Sequence, residues 1–264
     1  MTSAICELTG VHHNFGGVKA LAGIDLSIAE DEILGIAGPN GSGKTTLFNC
    51  MTGYYRASRG RITWQGEDVT SWPMHKRASR GLVRTFQQSM HFPSATVRDN
   101  VGMAIDIARS KGNKAAAGRQ SRWPDADDLV GIVGLSELTS TPSRVLSHGQ
   151  LRRLGVALAL AARPRLLLLD EPAAGLTDGE ARLLERVLRE VRDLGVTIAV
   201  VDHDMRFLFS FVDRMMVMAT GKKLAEGLPA EIRANPEVIE AYLGHGLGRE
   251  QETQAAAGDE EATG

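Results

Sequence analysis

Apolar and polar residues alternate along the first part of the chain. Residues 4–32 show this pattern, with two glycines at 16–17 and a second alternating segment at 22–28. Alternation with a period of two is typical of strands that have one covered and one solvated face, and paired glycines favour a turn between them. A shorter pair of strands is predicted within residues 62–69, around a Gln-Gly turn. The pattern therefore predicts antiparallel β-structure in this region.

Three other segments are continuous apolar runs. They are Ile33–Ala37, Leu166–Leu169 and Val196–Val201. Short runs rich in Val, Ile and Leu are expected for parallel strands that are covered on both faces. The sequence therefore predicts a buried parallel sheet at the centre of an α/β core.

Helices are predicted between and beside these strands. One runs from about Lys44 to Thr52, where Gly53 closes it, and another covers Gly179–Leu194. From residue 89 to 158 the chain changes to helical segments with breaks, which indicates a helical lobe inserted into the core. The chain is thus divided into four parts. Residues 1–88 form the first part of the core, residues 89–158 the helical signature lobe and residues 159–244 the second part of the core. Residues 245–264 are an acidic tail that is expected to be disordered.

Length and composition suit one large α/β domain, or two small lobes that share a core, since 43% of the 264 residues are apolar. The net charge is −2, and the last twenty residues carry −4, which leaves +2 for residues 1–244. A nucleic-acid platform usually needs a strongly basic face, so this balance argues against one. Seven basic residues form either a local patch or, as we prefer, part of a solvated surface: Arg56, Arg59, Arg61, Lys76, Arg77, Arg80 and Arg84.

Cysteine content and hydropathy are typical of a protein from a reducing compartment. Cys6 and Cys50 have no metal-ligand spacing, and two buried thiols are the expected state. No secretory leader is visible at the start of the chain. No apolar stretch approaches the roughly 18 residues of a membrane-spanning helix. We therefore expect a chain that is soluble by itself.

Residues 38–45 read GPNGSGKT and fit the phosphate-binding pattern G-x-x-x-x-G-K-[ST], between a predicted strand and a predicted helix. The glycines let backbone N–H groups wrap around phosphates, and the start of the helix adds partial positive charge. Lys44 is expected to neutralise the β- and γ-phosphates, and the Thr45 hydroxyl to bind Mg²⁺. The predicted nucleotide-binding residues of this loop are Gly38, Pro39, Asn40, Gly41, Ser42, Gly43, Lys44, Thr45 and Thr46.

Two acids, Asp170 and Glu171, end the leucine run at residues 166–169. Burying an unpaired carboxylate costs on the order of several kcal/mol, so these acids need a cation, a proton or a reaction. An ion pair with Arg163 or Arg165 would explain one acid but not a pair beside a phosphate-binding loop. Asp170 suits a Mg²⁺ ligand at a strand tip, and Glu171 suits a base that orients or deprotonates the attacking water.

The segment LSHGQ, residues 146–150, opens a predicted helix. Ser147 and Gln150 fit an S-x-x-Q capping box, and Pro164 follows the helix. Capping does not require Gly149, which predicts that another group approaches the backbone closely there. A helix start with free N–H groups and a serine hydroxyl favours an anion.

The chain resembles the ATP-binding subunit of ATP-binding cassette transporters over nearly all of residues 4–244. The resemblance is carried by four motifs in a fixed order: the phosphate-binding loop, LSHGQ, LLLLDEP and VDHD (residues 201–204). The segments FNCMTGYYRASRG, VRTFQQ, DEPAAGL and EAYLG are most similar to the subgroup that imports branched-chain amino acids, which includes urea-type relatives. The resemblance implies a P-loop NTPase fold with a mixed, mainly parallel sheet, an antiparallel β subdomain and an inserted helical subdomain. It also implies ATP hydrolysis, with ATP and Mg²⁺ as cofactors.

The resemblance further implies roles for single residues. Phe15 matches an aromatic that stacks on adenine, with a core phenylalanine at a strand end as the alternative. Gln87 matches a glutamine that contacts Mg²⁺ and links the site to the membrane partner, and Gln88 is its less favoured rival. His203 matches a histidine that contacts the γ-phosphate and orients water.

Two positions depart from the commoner family pattern. His148 stands where that pattern has Gly, although this change is tolerated in the importer subgroup. Thr177 stands where many members have an Asp that serves communication across the dimer. The family mechanism implies that two such domains, identical or homologous, close head-to-tail around two ATP molecules. Each site would combine the loop, acids and histidine of one chain with the Ser147, Gly149 and Gln150 helix start of the other.

The expected partners are a second ATPase subunit, transmembrane permease subunits and a periplasmic or extracellular solute-binding protein, and no nucleic acid. The expected location is peripheral, on the cytoplasmic face of the inner (plasma) membrane. One alternative is the motor of an exporter of the lipopolysaccharide type. Another is a soluble cassette ATPase that acts on DNA or the ribosome, which the weak positive charge disfavours. A plain P-loop kinase would leave LSHGQ without a purpose.

Overall fold

The computed structural model describes residues 4–85, 91–110 and 123–243. The strands are β1 (Ala4–Phe15), β2 (Val18–Ala29), β3 (Ile33–Ala37), β4 (Arg59–Trp64), β5 (Glu67–Asp68), β6 (Leu82–Arg84), β7 (Leu166–Asp170), β8 (Thr197–Val201), β9 (Arg214–Ala219) and β10 (Lys222–Gly227). The helices are α1 (Lys44–Thr52), α2 (Met74–Ala78), α3 (Val97–Ser110), α4 (Ala126–Ile132), α5 (His148–Ala161), α6 (Asp178–Asp193), α7 (Met205–Phe211), α8 (Pro229–Ala234) and α9 (Pro236–Leu243).

The strands form two sheets of different character. An antiparallel sheet has the order β2-β1-β4-β5, and a six-stranded sheet has the order β10-β9-β3-β8-β7-β6. In the larger sheet every neighbouring pair is parallel except β9 with β10. The predicted α/β fold with a mainly parallel sheet and an antiparallel β subdomain is confirmed.

The three predicted apolar runs form the centre of the larger sheet. Every residue of β3, β7 and β8 is buried. Successive residues point to opposite faces and join two separate cores: Leu167 and Leu169 pack with the helices α5, α6 and α7, whereas Leu166 and Leu168 pack with α1 and the antiparallel sheet. Burial on both faces explains why these strands show no polar alternation.

The predicted helix at residue 44 is confirmed. It begins at Lys44 and ends at Thr52, and Gly53 adopts the left-handed conformation (φ 77°) and donates its N–H to the Cys50 carbonyl. The helix predicted at Gly179–Leu194 is α6, displaced by one residue, because Thr177 caps it through Glu180. Helix α5 continues to Ala161, three residues beyond the predicted end of the helical lobe.

The predicted state of the two cysteines, buried thiols, is confirmed. Cys6 and Cys50 are both free and buried, and burial raises the pKa of Cys6 to about 12 and of Cys50 to about 11. Within the described ranges, no helix is long and apolar enough to cross a bilayer. The acidic tail and most of the segment at 110–121, which the composition predicts to be flexible, lie outside the described residues.

Candidate functional site

The predicted site residues come from the same edge of the larger sheet. Strands β3, β6, β7 and β8 are parallel, so their carboxyl ends lie together. The phosphate-binding loop follows β3, Asp170 ends β7, and Asp202 follows β8 directly. Ligands of open α/β sheets bind at this edge of the fold.

The loop requires glycine at Gly38 because the backbone approaches a neighbouring strand. A Cβ atom at this position would lie 2.3 Å from the carbonyl oxygen of Met218 in β9 and 2.7 Å from the Ser42 hydroxyl, and φ is 152°. The Ser42 hydroxyl is buried and has no hydrogen-bond partner among the described residues. Such a hydroxyl is available to a bound group.

Lys44 is buried at the start of α1, with 5% of its surface exposed. Its Nζ donates to the carbonyl oxygens of Gly38 at 2.6 Å and Pro39 at 3.0 Å, so the loop folds around its own lysine. Burial lowers the pKa of Lys44, and the negative charges of Glu171 and Asp170 oppose this effect. The ammonium group is therefore a buried cation in an acidic setting, which suits the binding of a phosphate.

Asp170 forms an ion pair, but with neither of the arginines considered from the sequence. Its Oδ2 accepts from the guanidinium of Arg84, at the end of the neighbouring strand β6. Arg165 instead pairs with Glu30 at 2.7 Å. Asp170 Oδ1 is buried and has no hydrogen-bond partner among the described residues. One carboxylate oxygen is thus neutralised and the other is left for a ligand.

Glu171 has an uncommon backbone conformation. Its φ is 47°, which is rare for a residue with a side chain, and its N–H donates to the carbonyl oxygen of Val201 at 2.7 Å. Such conformations cost about 1–3 kcal/mol and cluster at functional sites. The backbone of Glu171 is therefore fixed to the end of β8, on the strand that leads to His203.

Asp202, which the sequence did not single out, lies at the same edge of the sheet. It is fully buried, and its carboxylate accepts from the N–H groups of His203 at 2.8 Å, Asp204 at 3.0 Å and Ala173 at 3.2 Å. Burial raises the pKa of Asp202, and these hydrogen bonds oppose the rise. Asp202 thereby joins the end of β8 to the loop after Glu171. The imidazole of His203 stays more than half exposed, with Nδ1 3.5 Å from the Asp202 carboxylate.

Phe15 lies at the end of β1 in an exposed aromatic cluster. It is 45% exposed, so the core alternative is wrong. Its ring meets His13 edge-on at 4.7 Å and Tyr55 edge-on at 5.3 Å, while His13 and Tyr55 stack at 5.0 Å. The cluster presents aromatic faces on which a flat base can stack.

The predicted capping box at α5 is present. The Ser147 hydroxyl accepts from the Gln150 N–H at 3.3 Å, and the Gln150 side chain accepts from the Ser147 N–H at 2.8 Å. The close approach predicted at Gly149 comes from this chain itself, because a Cβ there would lie 2.4 Å from Oε1 of Glu180. The Glu180 carboxylate also accepts from Thr177, and these hydrogen bonds lower the pKa of Glu180.

The structure describes the seven basic residues but not the two candidate glutamines. Gln87 and Gln88 lie outside the described residues. The expected solvated surface is wrong for two of the seven basic residues: Arg77 is buried and donates to backbone carbonyl oxygens, and Arg84 is buried against Asp170. Arg61 and Arg80 make exposed ion pairs with acids of β5.

Two family models match parts of this chain. A family model described as ABC transporter matches residues 21–174, more than half of the chain. A second model, described as branched-chain amino acid ATP-binding cassette transporter, matches residues 222–247. These two regions cover the phosphate-binding loop, Asp170, Glu171 and the segment that begins with β10, whereas Phe15, Asp202 and His203 lie outside them.

Individual relatives match over nearly the whole chain. The high-affinity branched-chain amino acid transport ATP-binding protein BraF of Pseudomonas aeruginosa is 36% identical, over 92% of this chain and 99% of that protein. LivG of Salmonella typhimurium, with the same description, is 35% identical with the same coverage. The crystal structure of an ATP-binding cassette of an ABC transporter in its ADP conformation superimposes with a TM-score of 0.80 at 28% identity, over 92% of this chain and all of that one.

Proposed function

Because this chain belongs to the family of ATP-binding cassette transporter ATPases, we propose that it is the ATP-hydrolysing motor subunit of an importer. The proposed solute is a branched-chain amino acid or a similar small polar molecule, as the match at residues 222–247 supports. That match favours import over the exporter alternative. The observation that carries the proposal is the gathering of the phosphate-binding loop, Asp170, Glu171 and His203 at one edge of the sheet.

The proposed nucleotide site lies at the edge of the larger sheet where the carboxyl ends of its parallel strands meet. The loop backbone and Lys44 would bind the β- and γ-phosphates, and the aromatic cluster around Phe15 would stack on adenine. The residues fit Mg²⁺, because Asp170 Oδ1 is a buried oxygen without a hydrogen-bond partner in the described part of the chain. Asp170, the Thr45 hydroxyl and Gln87 would hold the ion. When bound with ATP, Mg²⁺ neutralises charge on the phosphate oxygens.

The proposed hydrolysis assigns the base to Glu171. Its backbone is fixed to the end of β8, directly after Asp170 in the chain. Glu171 would orient the attacking water and accept its proton. His203, which Asp202 fixes through its backbone, would orient the water and contact the γ-phosphate.

The proposed working unit contains two ATPase domains, of the same or of different sequence. Helix α5 packs against α3, α4 and α6, whereas α1 packs against α2, β2 and β6. The Ser147–Gln150 helix start and the phosphate-binding loop therefore belong to different parts of the molecule. We place the helix start against the γ-phosphate held by a neighbouring subunit, as an anion site supplied in trans.

The remaining partners are proposed from the transport function. The motor would bind peripherally to transmembrane permease subunits at the cytoplasmic face of the membrane, and a solute-binding protein would deliver the solute outside. Affinity isolation of the tagged chain from detergent-solubilised membranes, followed by mass spectrometry, tests this. We expect permease subunits and a solute-binding protein. Recovery of exporter components, or of ribosomes or DNA-binding proteins in their place, would contradict the proposal.

A further inference from the structure

The ion pair between Arg84 and Asp170 is buried at the sheet edge where the candidate site lies. The Arg84 side chain is 9% exposed and the Asp170 side chain 4%. The two residues end neighbouring parallel strands, β6 and β7, which places a cation permanently beside the carboxylate proposed to hold Mg²⁺. A buried ion pair is costly to desolvate, so it calls for an explanation beyond stability.

Arg84 also contacts the helix that carries the phosphate-binding loop. Its Nη1 donates to the side-chain oxygen of Asn49 in α1 at 2.5 Å, and its guanidinium carbon lies 5.8 Å from the centre of the buried Phe48 ring. The guanidinium is therefore held between α1 and Asp170. Its charge is fixed at a defined position in the site.

The charges at this edge are otherwise mostly negative. Asp170, Glu171 and Asp202 all act on Lys44, which is the second buried cation there. Without Arg84, the described residues of this region would include three carboxylates and a single buried cation. Such a cluster attracts a divalent ion even when no nucleotide is present.

We propose that Arg84 is a positioning residue that balances the charge of Asp170 before the metal arrives, so that Mg²⁺ is taken up together with ATP and not alone. The inference rests on the proposed function, because it assumes that Asp170 holds Mg²⁺. The ion pair occupies Oδ2 and leaves Oδ1 for the metal, so Arg84 both orients the carboxylate and weakens its attraction for a bare cation. The negative charge of the triphosphate overcomes this effect.

The test is the affinity of the nucleotide-free protein for Mn²⁺, measured by electron paramagnetic resonance, which counts free Mn²⁺. Arg84→Gln removes the charge, and we expect the dissociation constant for Mn²⁺ to fall roughly tenfold or more. Arg84→Lys retains the charge and should stay near the parental value. Arg80→Gln, which removes an exposed arginine paired with Glu67 at 3.7 Å, is the matched control and should change nothing.

Any of three results would overturn the inference: unchanged binding in Arg84→Gln, weaker binding in that variant, or equally tight binding in the glutamine and lysine variants. If Arg84→Gln does not fold, Asn49→Asp is the second variant. It keeps Arg84 but places a second carboxylate beside the guanidinium, so that less of the positive charge balances Asp170. Its Mn²⁺ affinity should rise, and an unchanged value would also overturn the inference.

A parallel measurement separates this inference from the proposed function. Mn²⁺–ATP binding is compared between the parental protein and Asp170→Asn. If the loss of Asp170 has no effect, the proposed metal site is wrong. If the effect is present but Arg84→Gln binds bare Mn²⁺ as the parental protein does, only the role of Arg84 is wrong.

Discussion

Single residues of the site act mainly through charge. Lys44 is a buried cation that bonds to carbonyl oxygens of its own loop, and Asp170 is a buried anion with one neutralised oxygen. The proposed triphosphate and its metal would supply the complementary charges. Changes of one residue at this edge should therefore affect binding and turnover far more than folding.

Lys44→Ala should lower the rate of ATP hydrolysis by roughly 10²–10³, because it removes a preorganised cation of the kind that stabilises the transition state. Steady-state phosphate release measures the loss. Lys76→Ala is the matched control, since Lys76 lies over the Trp72 ring at the surface. A Lys44 variant with the activity of the control would contradict the assignment.

Glu171→Gln should bind ATP but fail to hydrolyse it, because the amide keeps the shape of the side chain but cannot accept a proton. The variant should therefore accumulate as the proposed pair of ATPase domains closed around ATP. Equilibrium binding of a labelled nucleotide and single-turnover hydrolysis separate the two effects. Glu190→Gln, an exposed position of α6, is the control. Hydrolysis at the parental rate in Glu171→Gln would show that another group is the base.

The lowered pKa of Lys44 predicts that ATP binding takes up protons at alkaline pH. Burial lowers the pKa in the free protein, and the charge of bound phosphates raises it. The contribution of Lys44 to affinity is therefore complete below the pKa of the free state and is lost as pH rises through that of the bound state. Calorimetry in buffers of different ionisation enthalpy measures the uptake. Lys44→Arg should lack it, and equal uptake in both proteins would refute the explanation.

At the scale of elements, the start of α5 and the start of α6 are built against each other. Glu180 belongs to the capping box of α6, and its carboxylate occupies the space beside Gly149 in α5. The two helix starts therefore cannot be changed independently. This contact explains the glycine at position 149 without any ligand. It does not affect the proposal that Ser147 binds the γ-phosphate held by a neighbouring subunit.

Gly149→Ala should destabilise the fold by about 1–3 kcal/mol, because the new methyl group overlaps the Glu180 carboxylate. Adding Glu180→Ala removes the overlap, so the double variant should lose less stability than the sum of the two single variants. Urea unfolding measures all three free energies. Additive losses would mean that the two residues do not interact.

Elements with strong local signals were predictable from the sequence. Continuous apolar runs identified β3, β7 and β8, and the glycines at both ends of α1 fixed its bounds. The hairpin of β9 and β10 and the helices after it were missed. Strand β9 reads RMMVMA, and methionine is a flexible side chain that carries little strand preference.

The site was predictable only where its chemistry lies in one segment. The loop, Asp170 and Glu171 stand beside recognisable turns and strand ends. The pairing of Arg84 with Asp170 joins residues 86 positions apart and exists only because β6 and β7 are neighbours in the sheet. Contacts of this kind follow from strand order, which no local pattern encodes.

At the scale of the whole molecule, the larger sheet separates two cores. One core joins it to α1 and the antiparallel sheet, and the other joins it to the helices that carry the Ser147–Gln150 start. The phosphate-binding loop and the helix start are thus attached to different sides of the fold. Each nucleotide site is therefore proposed to need a neighbouring ATPase subunit for its completion.

The most direct test is the structure of the Glu171→Gln protein with Mg–ATP, together with whichever ATPase subunit co-purifies with it. We expect the γ-phosphate to contact Lys44 of one subunit and the Ser147–Gln150 helix start of the other. A single subunit whose Gly38–Thr46 loop and Ser147–Gln150 start both enclose the same γ-phosphate would contradict the central claim.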